Sequence, residues 1–206
     1  MEPIREILHA NLQELGLNSD EVEYHKCGLS RYVFSYVDLK GETRYRKIVM
    51  RPDDKYGTDE GVKTDEWLTY LGIENFIVLI ETDYQIIDTP FIGHDLYNFE
   101  IGKSFRIPFQ PEYYIFNGFN RTETVEWLAE LENRLLEFQR LTGLVHTDLF
   151  STGRPNNIVW NPYVPQLPIL NVIDCESFQI ADTSNLARFQ GRWETAKDYI
   201  IRNYCH

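Results

Sequence analysis

Cysteine is scarce: Cys27, Cys175 and Cys205 are the only three in 206 residues. An odd number without a CxxC pair offers neither a disulfide framework nor a thiolate zinc site, so a reducing, cytoplasmic setting is expected. Basic charge is also short, since 20 Lys and Arg face 32 Asp and Glu for a net charge of −12. Nucleic-acid affinity is built on a basic face that displaces counterions, and anionic lipid needs the same, so neither is an expected partner. A negative field would instead concentrate cationic small molecules. No run reaches the roughly 18 apolar residues of a membrane span. Met1-Glu2-Pro3-Ile4-Arg5 opens an amphipathic segment and not a basic and then apolar leader.

What is present suits one domain, or two lobes sharing a cleft: hydrophobic residues are 43% and charged residues 25%, ordinary globular usage. Ile4, Ile7, Leu8, Leu12 and Leu15 recur at helical spacing, with Gly16 as a left-handed stop. Tyr24 to Met50 reads as an antiparallel hairpin around Asp38-Leu39-Lys40-Gly41. A helix carrying Trp67, Leu68 and Leu71 is expected next, then strands at 76–80 and 84–87, then a Pro- and Gly-rich connection over 90–120. Asn120 is placed to cap a long helix with an apolar stripe of Val125, Leu128, Leu131, Leu135 and Phe138, stopped at Gly143. Short strands at 158–160 and 169–173 follow. A last helix carries Leu186, Phe189, Trp193, Ala196, Ile200 and Tyr204 on one face.

Between the long helix and the tail stand Gly143-Leu144-Val145-His146-Thr147-Asp148-Leu149, Asn156-Asn157-Ile158-Val159-Trp160 and Asn171-Val172-Ile173-Asp174-Cys175-Glu176. This ordered series resembles the protein-kinase-like superfamily, in particular its aminoglycoside phosphotransferase and choline kinase branch. There a His-x-Asp-Leu catalytic loop is followed by an Asn before a short strand and by a metal-binding Asp. Phosphoryl transfer leaves the protein mainly positioning and charge neutralisation, and Mg²⁺ takes hard oxygen ligands, which is why these residue types suit it. The resemblance implies that Asp148 takes the proton of the attacking hydroxyl and His146 braces the loop. Asp174 and Asn157 would hold Mg²⁺. The family pattern places the Asn five positions after the Asp; here Asn157 comes nine after Asp148, an insertion of about four residues within Phe150 to Pro155. Asn156 is the rival for the metal role and is otherwise a turn residue.

The first half then corresponds to a nucleotide lobe. Cys27-Gly28-Leu29-Ser30-Arg31-Tyr32-Val33-Phe34 resembles a reduced phosphate-covering turn, with Gly28 and Ser30 near the phosphates. Lys47 holds the place of the strand lysine that pairs with the α- and β-phosphates, on the face opposite Arg46. Its acidic partner is Glu60 by helical phase with Trp67, Leu68 and Leu71, or Glu66 by its separation from Lys47. Tyr84 to Leu96 is similar to the lobe linker. Tyr97, Phe99, Phe105, Phe109, Tyr113, Tyr114, Phe116 and Phe119 read as core under a long connection, with recognition of an ammonium acceptor as the alternative.

The expected fold is α+β and two-lobed, protein-kinase-like. It has a small antiparallel-sheet N-lobe with one helix (about 1–88), a linker (89–95) and a reduced, mainly helical C-lobe (96–206). The expected activity is ATP- and Mg²⁺-dependent transfer of the γ-phosphate to a hydroxyl, on a small cationic molecule or a protein. A pseudokinase that binds nucleotide or a partner without turnover, and a compact RIO-like protein kinase, are the competing readings. Only 32 residues follow Asp174, so a pared acceptor lobe is expected.

Overall fold

The computed structural model describes residues 2–25, 31–49, 77–80, 85–90, 93–106, 109–162, 168–174 and 177–206. They fall into two compact units, the first taking in Met1–Pro52 and Ile77–Phe91 and the second Ile92–His206. In the first, helix α1 (Glu2–Leu15) precedes strands β1 (Glu23–His25), β2 (Arg31–Val37), β3 (Thr43–Val49), β4 (Ile77–Ile80) and β5 (Gln85–Pro90). They form an antiparallel sheet in the order β1-β2-β3-β5-β4. The β2–β3 turn is built as its sequence dictates: the Asp38 carboxylate accepts from Lys40 N and Glu42 N at 2.9 Å, and Gly41 supplies φ +82°.

Alternation along β2 and β3 separates two faces. Phe34, Tyr36 and Ile48 are buried with Leu12 and Val22, and Ile7, Leu8, Leu15 and Leu17 pack against them, so α1 covers this face. Arg46 lies on it too, only 5% exposed, and donates to Asn11 Oδ1 at 3.1 Å with Glu14 at 3.5 Å. Both partners come from the polar positions of α1, which ties the helix to the sheet through a satisfied buried cation. Gly16, at φ +69°, ends α1 as its position predicts.

The second unit contains β6 (His94–Asp95), a 3₁₀ turn at Leu96–Asn98, β7 (Ser104–Arg106), β8 (Tyr113–Ile115) and the long helix α2 (Arg121–Thr142). Strands β9 (Leu144–His146), β10 (Phe150–Ser151), β11 (Arg154–Pro155), β12 (Ile158–Trp160), β13 (Leu170–Val172) and β14 (Phe178–Ile180) follow, before helix α3 (Thr183–Asn203). Strands β13-β12-β6 form one small sheet, and β7–β8, β9–β14 and β10–β11 are separate pairs. The 90–120 connection therefore holds more regular structure than its Pro and Gly content suggests, because β6 and the β7–β8 hairpin are too short to show a hydrophobic period.

Asn120 caps α2 by accepting from Thr122 N and Glu123 N, and Gly143 at φ +72° closes it. The buried stripe is Thr124, Leu128, Leu131, Leu135 and Phe138; Val125, expected inside, is 48% exposed. Thr124 fills that first position because its hydroxyl is satisfied at 2.7 Å by the Asn120 carbonyl. In α3, Asp182 caps through Asn185 N, and Phe189, Trp193, Ala196 and Ile200 are buried, as their spacing predicts. Phe99, Phe116 and Phe119 pack with Trp160 and Tyr204 in edge and stacked contacts, whereas Tyr113 is 69% exposed. The aromatic run is thus core at Phe99, Phe116 and Phe119 and surface along the intervening β8. Among the described residues, no helix is long and apolar enough to cross a membrane.

Candidate functional site

Strand β9 is buried at all three positions, and its pairing with β14 sets His146 opposite Phe178. His146 is fully enclosed; its Nε2 lies 2.9 Å from the Ile173 carbonyl, and Asp148 N donates to its Nδ1 at 3.2 Å. A carbonyl only accepts and an amide N–H only donates, so the ring carries its proton on Nε2 and is neutral. Burial pushes its pKa below the ordinary value, against smaller opposing effects of the Ile173 carbonyl, Asp174 and Asp148. The ring therefore links the Asp148 segment to the Asp174 segment. Thr147 adds a second link, its N–H and hydroxyl both donating to the Ser177 carbonyl at 2.9 and 3.0 Å.

The insertion within Phe150 to Pro155 does not separate Asp148 from Asn157. These residues fold into the β10–β11 hairpin, turned by Thr152 and Gly153 at φ +49° and +81°, the paired positive values of a tight hairpin turn. Asn156 N–H donates to the Leu149 carbonyl at 3.0 Å and closes the excursion. Its outer end is fastened where the Tyr97 hydroxyl meets Thr152 Oγ1 at 2.9 Å, and Arg154 donates to the Tyr97 carbonyl and to Glu100 at 3.2 and 3.0 Å. Asn157 then donates to the Asp148 carbonyl at 2.8 Å and to its carboxylate Oδ2 at 3.4 Å. Asn156, read from the sequence as a turn residue, donates to the same Oδ2 at 2.7 Å. The other carboxylate oxygen, Oδ1, is ion-paired to Arg192 of α3.

Asp174 comes to the same end of the small sheet. Strand β13 sets Val172 opposite Ile158, and Ile173 N–H donates to the Asn157 carbonyl at 2.9 Å. Both Asn157 and Asp174 are left-handed, at φ +59° and +66°, a conformation rare outside glycine and most tolerated by these two residue types. Ser177 fixes Asp174 from below, its N–H on the Asp174 carbonyl at 2.8 Å and its hydroxyl on Oδ2 at 3.0 Å. Asp95, on the adjacent β6, is pushed up to about 6 by burial, opposed by the Tyr97 N–H and helped by the charge of Asp174.

The donor set suits Mg²⁺. Asn157 commits its amide nitrogen to Asp148, which leaves its amide oxygen as a hard ligand, and the Ile173 N–H bond to the Asn157 carbonyl brings the Asp174 segment alongside with a second hard oxygen donor. Among the described residues there is no cluster of three His, Cys, Asp or Glu that could hold a metal ion. Any ion here would complete its shell with water or phosphate oxygens.

Two residues of this group were invisible in the sequence. Asp95 sits in a short strand without periodicity, and Arg192 carries no mark that distinguishes it from other polar positions of α3. Lys47, in the first unit, lies on β3 opposite Val33 and Ile87. It alternates with the buried Arg46 and Ile48 and so leaves the sheet on the face away from α1, beside Tyr45, whose ring lies 5.1 Å from His25. Gly28, Ser30, Glu60 and Glu66 lie outside the described residues.

No protein-family model matches the sequence, and no curated protein matches it. Among solved structures, the chain is similar to the autoinhibited serine kinase domain of the giant muscle protein titin. The identity is 17%, covering 78% of this chain and 46% of that one, with a TM-score of 0.45. It is also similar to a Rio2 kinase in an ADP/Mg²⁺ phosphoaspartate complex from Chaetomium thermophilum. There the identity is 14%, covering 95% of this chain and 59% of that one, with a TM-score of 0.55. The chain thus spans about half the length of the kinases it matches. The second likeness, over nearly the whole chain, gives the molecule a reduced α+β fold of the protein-kinase type.

Proposed function

We propose that this chain is an ATP- and Mg²⁺-dependent phosphotransferase that moves the γ-phosphate to a hydroxyl group. The observation that carries the reading is the hydrogen-bonded convergence of Asp148, Asn157 and Asp174, which come from three separate segments. Asp148 receives the hydroxyl proton and His146 fixes its loop. The Asn157 amide oxygen and the Asp174 carboxylate hold the metal, which when bound neutralises charge on the nucleotide phosphates. Lys47 pairs with the α- and β-phosphates, with Glu60 or Glu66 as its partner and Gly28 and Ser30 in the phosphate-covering turn. Residues 1–88 serve as nucleotide lobe, 89–95 as linker and 96–206 as catalytic lobe. Whether the acceptor is a small molecule, as in the aminoglycoside phosphotransferase and choline kinase branch, or a protein Ser or Thr, as in RIO-like kinases, is decided by where the label from γ-labelled ATP appears.

One observation favours a second reading. Both carboxylate oxygens of Asp148 are engaged, by Arg192 and by the two asparagines, as suits a nucleotide-binding pseudokinase that does not turn over. Thermal denaturation with and without Mg-ATP tests the metal assignment common to both. A wild-type increase in Tm that needs Mg²⁺ and vanishes in Asp174→Ala is expected. An undiminished increase in that variant would remove Asp174 from the metal site.

A further inference from the structure

Arg192 projects from the middle of α3 onto Oδ1 of Asp148, and each side chain is 30% exposed. Oδ2 is held by Asn156 and Asn157, which belong to the loop that fixes the carboxylate in place. Arg192 is different: it comes from another element on a long side chain that can swing. Oδ1 is therefore the oxygen that an acceptor hydroxyl can reach, and Arg192 occupies its approach.

A guanidinium leaving a carboxylate in a partly dehydrated site needs another anion to replace it. Arg188 lies one turn earlier on the same side of α3, exposed, and makes no ion pair among the described residues. Two arginines thus follow one turn apart on the side of α3 whose Arg192 pairs with the candidate base, in a chain whose net charge is −12. The acidic composition suggests a cationic acceptor at long range. At contact distance these two arginines decide, because charges beyond about 8 Å are screened at physiological salt.

We propose that Arg192, assisted by Arg188, recognises the acceptor, and that the acceptor is a hydroxyl compound carrying its own phosphate or carboxylate. That anion replaces Asp148 as the partner of Arg192 and frees Oδ1. The hydroxyl proton then passes to Asp148 as the hydroxyl oxygen bonds to the γ-phosphorus and the bond to ADP breaks. This assignment rests on the phosphotransferase reading.

The test begins without nucleotide. Glycerol 3-phosphate, glycerate, glycerol and choline are titrated into the full chain by calorimetry, the first two separating phosphate from carboxylate recognition. At least one anion should bind and the neutral and cationic compounds should not. Arg192→Met should weaken anion binding by about tenfold, which is ~1.4 kcal/mol. Arg192→Lys should retain part of it, and Arg188→Gln, at an exposed site that leaves folding intact, should weaken it by roughly threefold, the loss of a more distant charge. Equal binding of choline or glycerol, or unchanged anion affinity in Arg192→Met and Arg188→Gln, overturns the proposal. Adding Mg-ATP separates the two readings. ATP turnover without preference for the anionic compounds defeats the acceptor assignment alone, and arginine-dependent anion binding without any turnover defeats the phosphotransferase reading alone.

Discussion

His94 and Asp95 are neighbours on β6, and burial shifts their proton affinities in opposite directions. His94 is held down to about 4 by desolvation, so between pH 6.5 and 4 the unfolded chain binds a proton that the native protein refuses. Its contribution to stability falls on acidification by about 1.4 kcal/mol per pH unit. Asp95, raised to about 6 mainly by desolvation, binds a proton in the native state before the unfolded chain does, so its contribution grows as pH falls from 6 towards 3.8. The two offset each other over the same window. Thermal melts from pH 7 to 4.5 should show His94→Gln gaining stability relative to wild type as pH falls and Asp95→Asn losing it. Parallel curves for the three proteins would contradict these environments. Neither effect was legible in the sequence, because desolvation depends on what packs against β6. His146 was better marked, since its place in a His-x-Asp motif and its apolar flanks announce a buried, bracing ring.

The elements that position the site depend on close backbone approaches as well as on hydrophobic stripes. Gly93 enters β6 at φ +138°, and a Cβ there would lie 2.6 Å from the Trp160 carbonyl oxygen of β12. Gly93→Ala should push β6 off the sheet that carries Asn157, at about 2 kcal/mol, or roughly a 5 °C fall in Tm. A variant melting with the wild type would mean that β6 does not approach β12 so closely. Helices α2 and α3 and the β2–β3 hairpin could be read in advance because caps, stops and periodicity agree: Asn120 and Gly143 bracket α2, and Asp38 and Gly41 make the turn. The β10–β11 hairpin could not. Its strands are two residues long, and the sequence showed only that Asn157 came late. The closure by Asn156 and Leu149, with the anchor at Tyr97, is what restores the asparagine to Asp148.

At the scale of the molecule, an ordered set of polar residues at strand ends carried more information than composition did. The sequence placed Asp148, Asn157 and Asp174 on successive segments, and the fold brings them together around the neutral His146. Net charge points to a cationic acceptor, and a sum over the chain says nothing of Arg192 paired with the candidate base or of Arg188 one turn before it on α3. The α+β fold rests on the likeness to the Rio2 kinase, of which the chain covers 59%. The central claim is that Asp148 serves as the base of a phosphotransferase, and it is tested most directly by transfer of label from γ-labelled ATP to a hydroxyl acceptor in wild type and Asp148→Asn. The variant should bind Mg-ATP as wild type does and transfer at least about a hundredfold more slowly, as loss of a general base requires. Undiminished transfer by Asp148→Asn would contradict the account.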